Sequence, residues 1–253
     1  MPDVLDALGM QPHDCVAVVG AGGKTALCWR IVQALAGRGE RVVFTTTTKI
    51  WQPAEGAFDA RCLLPRPVEI DWAEGDWRTI CLASAIDGEP SRAPVSGAIM
   101  PTVQTKWIGF APAEICALRA LPVMRDVALV IEADGARGRL LKAPAEYEPA
   151  IPPCANVVCV VASLDVIGRP LDERSVHRAE HVARIAGVPV GSAITAATLV
   201  DVLCHPEGGL KRMPANARRV AVLAQYGVPQ IDIAPLLAQL RERGYHRAVV
   251  SNG

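Results

Sequence analysis

Apolar segments of strand length alternate along this chain with segments whose apolar positions recur at helical spacing. Residues 15–19, 41–45, 79–83, 127–131, 156–161, 219–224 and 247–250 are the strand-like runs. Most lack a polar alternate, as strands buried on both faces do, and such strands belong to parallel sheets. Between the first two runs, residues 25–36 place Leu27, Ile31, Val32 and Leu35 on one side of a helix, which the "AGRGE" segment at 36–40 ends. Helical patterns also cover 112–121, 176–186, 196–203 and 233–243. This alternation predicts an α/β fold: a doubly wound, mostly parallel sheet with helices on both faces. No internal repeat interrupts it, so residues 1–253 read as one domain. The Pro/Gly/Ser-rich stretch from Asp87 to Pro101 reads as a long loop or a small insertion around 85–110.

The turn after the first strand carries the clearest chemistry. "VVGAGGKT", residues 18–25, passes from that strand into the first helix. The usual phosphate loop, G-x-x-x-x-G-K-[ST], has a glycine five residues before its last one, where this chain has Val18. The physics does not need that spacing. Backbone N–H groups that point into one concavity at a helix N-terminus bind an anion. Glycines let the backbone turn tightly and approach phosphates, a lysine reaches the outer phosphates, and a hydroxyl coordinates Mg²⁺. Gly20, Ala21, Gly22, Gly23, Lys24 and Thr25 supply all of these parts. The segment therefore reads as a shortened phosphate loop for a nucleoside triphosphate and Mg²⁺. Its G-x-x-G-K-[ST] form resembles the loop of the amide-forming Mur ligases. A Rossmann dinucleotide site would need G-x-G-x-x-G/A and an acidic residue closing the second strand. That strand runs instead into Thr45-Thr46-Thr47-Thr48.

Ligands of an open parallel sheet bind beyond the carboxyl ends of its strands, and three more of those ends are polar here. Thr47 is a candidate Mg²⁺ ligand, with Thr48 and Lys49 as substrate contacts. The run at 127–131 leads into Glu132 and Asp134. Asp134 is expected to help hold Mg²⁺, and Glu132 to orient an attacking water. Together with Lys24 they are the catalytic candidates. Arg137 and Lys142 bring positive charge for an anion. After the run at 156–161 come Asp165, His177 and Arg178, candidates for contacting a second substrate or a partner. For each, the plain alternative is a threonine-rich strand end or a charge turned into solvent.

Composition narrows the class. The 253 residues are 51% hydrophobic, enough for a sizeable core, yet only 4% aromatic. Twenty-six basic residues balance twenty-six acidic ones, which gives no general attraction to nucleic acid or anionic lipid. "MPDVLDALGM" lacks a basic n-region, and no apolar stretch reaches the roughly 20 residues of a membrane span. A cytoplasmic protein is expected. The eight cysteines form no C-x-x-C pair, and Cys15, Cys81 and Cys159 fall in strand-like runs, so they read as buried thiols.

Several segments together resemble one family. They are "VVGAGGKT" (18–25), "FTTTTKI" (44–50), "EADGARGRLLKAPAEYEPAIP" (132–152), "SLDVIGRPLDERSVHRAE" (163–180) and "HPEGGLKRMPANAR" (205–218). They are similar to the YqeC-type accessory proteins associated with selenium-dependent molybdenum hydroxylases. The resemblance implies a nucleotide-binding protein that helps to mature such a hydroxylase, with the hydroxylase or another maturation factor as partner. It also implies a guanine-reading N-K-x-D-like segment near 219–224. This chain has "VAVLAQYG" (220–227) there and no downstream aspartate of that motif, which favours ATP over GTP. Two other classes stay open: a nucleotide-gated delivery chaperone, and a ligase or kinase that activates a small substrate with ATP.

Overall fold

The computed structural model describes residues 3–70, 72, 76–88, 105–227 and 231–252. In chain order its strands begin with β1 (Cys15–Gly20), β2 (Arg41–Thr46), β3 (Lys49–Trp51), β4 (Ala60–Leu63), β5 (Thr79–Ala83), β6 (Ala85–Ile86) and β7 (Lys106–Ile108). They continue with β8 (Val127–Glu132), β9 (Leu141–Lys142), β10 (Val157–Ser163), β11 (Val176–His177), β12 (Arg218–Gln225) and β13 (Arg247–Asn252). The α-helices are α1 (Val4–Leu8), α2 (Lys24–Gly37), α3 (Pro112–Arg119), α4 (Ala179–Ala186), α5 (Ala196–Cys204) and α6 (Ala234–Glu242).

Eight strands form one sheet in the order β13-β12-β10-β1-β8-β2-β5-β4, every neighbouring pair parallel. From β1 the chain builds one side through β2, β4 and β5. It returns through β8, between β1 and β2, and builds the other side through β10, β12 and β13. The reversal falls at β1, and parallel pairing brings all the carboxyl ends to one edge. A crevice at such a switch point is where open α/β sheets bind ligands.

The α/β class and the two-sided winding follow from the packing. Val16 and Val18 of β1 face one layer, with Leu27, Ile31 and Leu35 of α2 and Leu5 and Leu8 of α1. Cys15, Ala17 and Val19 face the other, where Leu118 of α3, Val182 of α4, Leu199 of α5 and Leu240 of α6 pack. Burying each such aliphatic side chain contributes roughly 1.5–3 kcal/mol. That two-sided demand is why the strands read as unbroken apolar runs.

The differences from expectation are local. The helix expected over 176–186 begins only at Ala179. Val176 and His177 instead pair with Leu141 and Lys142, and Arg178 takes a left-handed φ of 64° at the helix cap. β4, at the sheet edge, alternates half-buried and exposed positions and lacks the apolar run that marks the others. A small antiparallel sheet, β3-β7-β6, sits beyond the end of β2. The long loop expected around 87–101 falls mostly on residues 89–104, outside the described residues. Among the described residues no helix is long and apolar enough to cross a membrane.

Candidate functional site

At the end of β1 the chain turns through its glycines into α2. Gly20, Gly22 and Gly23 have φ of 96°, 71° and 133°, a region that L side chains rarely enter. A Cβ on Gly22 would lie 2.7 Å from the Ser163 Cβ and 2.8 Å from the Leu140 carbonyl oxygen. The loop thus needs glycine for close approach as well as for its φ. Ala21 is fully buried, and its N–H donates to the Val161 carbonyl at 2.8 Å, pinning the loop to β10. Gly23 caps α2 without a side-chain hydrogen bond. The first amides of that 14-residue helix therefore face the crevice with the positive end of the helix dipole.

Lys24 and Thr25, the first residues of α2, turn toward the end of β8. Glu132 Oε2 accepts a hydrogen bond from Thr25 Oγ1 at 2.8 Å, and its Oε1 lies 3.9 Å from Lys24 Nζ. Lys24 and Glu132 are each only 6% exposed. Burial pushes the Glu132 carboxyl up, against the pull of Lys24 and of the Thr25 hydrogen bond. The four threonines divide their work. Thr45 Oγ1 donates to the Leu82 carbonyl and Thr46 Oγ1 to the Glu132 carbonyl, at 2.8 and 2.7 Å. The Thr47 N–H also donates to the Glu132 carbonyl, at 3.1 Å, but the Thr47 hydroxyl is buried with no hydrogen-bond partner. The Thr48 hydroxyl stands against Gly135, 3.6 Å from where a Cβ would be. Lys49 is on the rim, exposed, and pairs with Asp87 at 2.9 Å.

Asp134 is held from two sides. Its Oδ2 accepts from the Gly20 N–H at 3.2 Å, and its Oδ1 is paired with Lys142 Nζ. Lys142 also donates to the Gly135 carbonyl at 2.6 Å and to Glu148 Oε2 at 2.8 Å. Arg178 Nη1 donates to that same Glu148 oxygen at 2.8 Å and to the Ala143 carbonyl at 3.1 Å. An ion-pair chain of Asp134, Lys142, Glu148 and Arg178 thus ties the glycine loop to the segment 143–148 and to the start of α4.

The charges shift one another accordingly. Burial pushes Asp134 up, with Lys142 and Lys24 opposing it. Burial would also raise Glu148, but hydrogen bonds from Arg178 and Lys142 outweigh it and hold that carboxyl at about 2. His177, beside Lys142 in the β9–β11 ladder, is pushed down to about 4 by burial and then by the Arg178 and Lys142 charges. It is neutral at pH 7. Arg137 is exposed, with a left-handed φ of 49°.

Asp165 lies in the turn after β10. Its Oδ2 and Oδ1 accept from the Tyr226 and Gly227 N–H groups, each at 3.3 Å, and so shape the turn that leaves β12. The crevice edge therefore gathers residues 20–25 with Thr47, Thr48, Glu132, Asp134, Lys142 and Asp165. His177 and Arg178 join through Glu148 and Lys142, while Lys49 and Arg137 stand at the rim. Sequence reasoning missed Glu148 and Tyr226. Glu148 sits in a proline-bounded segment with no strand end to mark it. Tyr226 does follow a strand end, the signal that singled out the others.

Among the described residues, no three His, Cys, Asp or Glu side chains converge as a metal cage. None of the eight cysteines is in a disulfide, and five of them are buried. Burial pushes the Cys28, Cys81 and Cys159 thiols up.

The family model described as YqeC protein matches residues 16–180, from β1 into α4, a span that holds the glycine loop and the whole ion-pair chain. The chain is 33% identical over 235 residues to "Uncharacterized protein YqeC" of Escherichia coli (strain K12). That similarity covers 91% of this chain and 83% of the relative. No solved structure matches the chain. On the strength of the family match and this relative, the chain belongs to the YqeC family.

Proposed function

We propose that this chain is a Mg²⁺-dependent nucleotide-binding protein that holds a nucleoside triphosphate, ATP rather than GTP, at residues 20–25. One observation carries the reading: three positive-φ glycines deliver a buried Lys24 and a solvent-accessible Thr25 to the start of a helix that no side chain caps. The helix amides and Lys24 Nζ would face the phosphates. Without them, Glu132 serves as the anion beside Lys24, and a phosphate would take that place.

The donor set suits a hard cation. Thr25 Oγ1 and the Glu132 carboxylate meet at the loop, the unpartnered Thr47 hydroxyl belongs to the residue whose N–H donates to the Glu132 carbonyl, and Mg²⁺ takes few protein oxygens together with phosphate oxygens. When bound, the ion would neutralise charge on the phosphates. Asp134 is already committed to Lys142 and the Gly20 amide. Glu132 is thus the better metal-side carboxylate, and Asp134 shapes the loop. We therefore assign to Glu132 the metal role that the sequence suggested for Asp134.

A place in the maturation of a molybdenum hydroxylase, with that enzyme or another maturation factor as partner, rests only on the resemblance carried by the sequence segments quoted above. Nucleotide hydrolysis would then gate delivery or drive activation of a small substrate. The binding step is tested by thermal shift with ATP, GTP and their diphosphates, with and without Mg²⁺. Ligand at a hundred times its Kd stabilises the fold by about 2.7 kcal/mol, a rise of about 5 °C for a chain of this length. Lys24→Ala should abolish the rise measured from the variant's own melting temperature, which itself falls because the buried Glu132 carboxylate loses its cation. A wild-type protein that no nucleotide shifts at millimolar concentration would refute the reading.

A further inference from the structure

A groove leaves the glycine loop and runs along α2 toward the ends of β12 and β13. Gly23, Ala26 and Arg30 form one wall, and Ala224, Tyr226 and Ser251 the other. Arg30 Nη1 donates to Ser251 Oγ at 2.6 Å across its far end. Tyr226 is 55% exposed, in a chain that is only 4% aromatic. Its backbone is nevertheless fixed, because the Asp165 carboxylate accepts from the Tyr226 and Gly227 amides. The phenol oxygen rests against Gly23, 2.7 Å from where a Cβ would be.

The two sides of the loop differ in chemistry. On the β8 side stand the charged groups Glu132, Asp134 and Lys142. On the β12 side, next to the loop, are Ala26, Ala224 and the Tyr226 ring, with Arg30 and Ser251 bonded to each other at the far end, and the groove is continuous with the loop at Gly23. A nucleotide whose outer phosphates reach Lys24 has to lay its nucleoside on one side or the other. A flat, weakly polar base suits the second.

Resting on the nucleotide reading of the loop, we infer that this groove takes the purine base, with the Tyr226 ring moved off Gly23 and stacked on it. Asp165 is the positioning residue for the turn that carries the ring. Every base has a π-face, so a tyrosine wall selects for the presence of a base more than for its identity.

Calorimetric titration separates the parts, with ATP, GTP and inorganic tripolyphosphate each added with Mg²⁺. Wild type should bind ATP more tightly than tripolyphosphate. Tyr226→Ala should weaken ATP binding by about 10- to 100-fold, the worth of one base stack, and leave tripolyphosphate unchanged. Tyr226→Phe should bind ATP within about threefold of wild type, because the stacking face is kept. Asp165→Ala should show the same selective loss, and Asp165→Asn, which keeps one of the two acceptor oxygens, should restore it only in part. Lys24→Ala should weaken both ligands. If Tyr226→Ala binds ATP as tightly as wild type while tripolyphosphate still binds, the base site is overturned and the phosphate-loop reading survives. If wild type binds neither ligand, the phosphate-loop reading falls and the base site with it.

Discussion

Replacing Lys142 by methionine tests the ion-pair chain at its centre. The Lys142 side chain is 2% exposed and holds Asp134, itself 2% exposed at the side chain, together with Glu148 and the Gly135 carbonyl. Methionine keeps most of the volume and removes the charge. Glu148 still has Arg178 at 2.8 Å, but Asp134 is left with the Gly20 N–H at 3.2 Å as its hydrogen bond and only the field of Lys24 beyond it. Breaking a buried pair by removing one partner costs about 3–5 kcal/mol, because a desolvated charge is left uncompensated. For a chain of this length that lowers the melting temperature by about 6–10 °C. The pH dependence has a definite sign. Without Lys142 the Asp134 carboxyl is raised further above its unfolded value, so the folded variant binds a proton that the unfolded chain has already released. Stability of the variant then falls as pH rises through that raised value, and the gap to wild type narrows in acid. Asp134→Asn in the Lys142→Met background should recover much of the loss, since no buried charge remains. Urea denaturation at pH 5 and pH 8 reads all of this. A loss below about 1 kcal/mol at pH 8, or one that does not shrink at pH 5, would show that the pair is not the strut described here.

Three further outcomes follow from the same geometry. Glu132→Gln should weaken the Mg²⁺ dependence of nucleotide binding by about 10- to 100-fold, whereas Asp134→Asn should lower stability and leave that dependence in place. The opposite result in Mg²⁺ titrations would return the metal to Asp134. His177 should stay neutral down to a pKa of about 4. Its depressed value makes stability complete above the unfolded histidine range near 6.5 and lost as pH falls toward 4. An NMR titration that gives His177 a midpoint of 6 or higher would contradict its packing beside Lys142 and Arg178. Finally, a thiol reagent should modify at most the three half-buried cysteines, Cys62, Cys116 and Cys154, in the native protein, and all eight after denaturation. Rapid reaction of five or more native thiols would show that the core opens.

What could be read from the sequence was what each residue decides with its chain neighbours. β1, β2, β8 and β10 were legible because burial on both faces leaves no polar alternate, and the loop was legible because its glycines, Lys24 and Thr25 are contiguous. β4 was not, since an edge strand with one exposed face carries no such run. Partnership across the sheet was not legible either. Lys142 read as a cation for an anionic ligand, yet Asp134 and Glu148, eight and six residues away, hold it from both sides. Arg178, thirty residues beyond Glu148, completes the chain. A lysine next to a glycine loop looks the same in sequence whether it meets a phosphate or a carboxylate, and only the fold says which anion arrives first. That distinction sorts the two lysines here. Lys142 has a carboxylate within hydrogen-bond reach on each side and little to gain from a ligand. Lys24 stands 3.9 Å from Glu132, beyond hydrogen-bond distance, at the positive end of a helix, so an anion entering the crevice has more to offer Lys24 than the carboxylate it would replace.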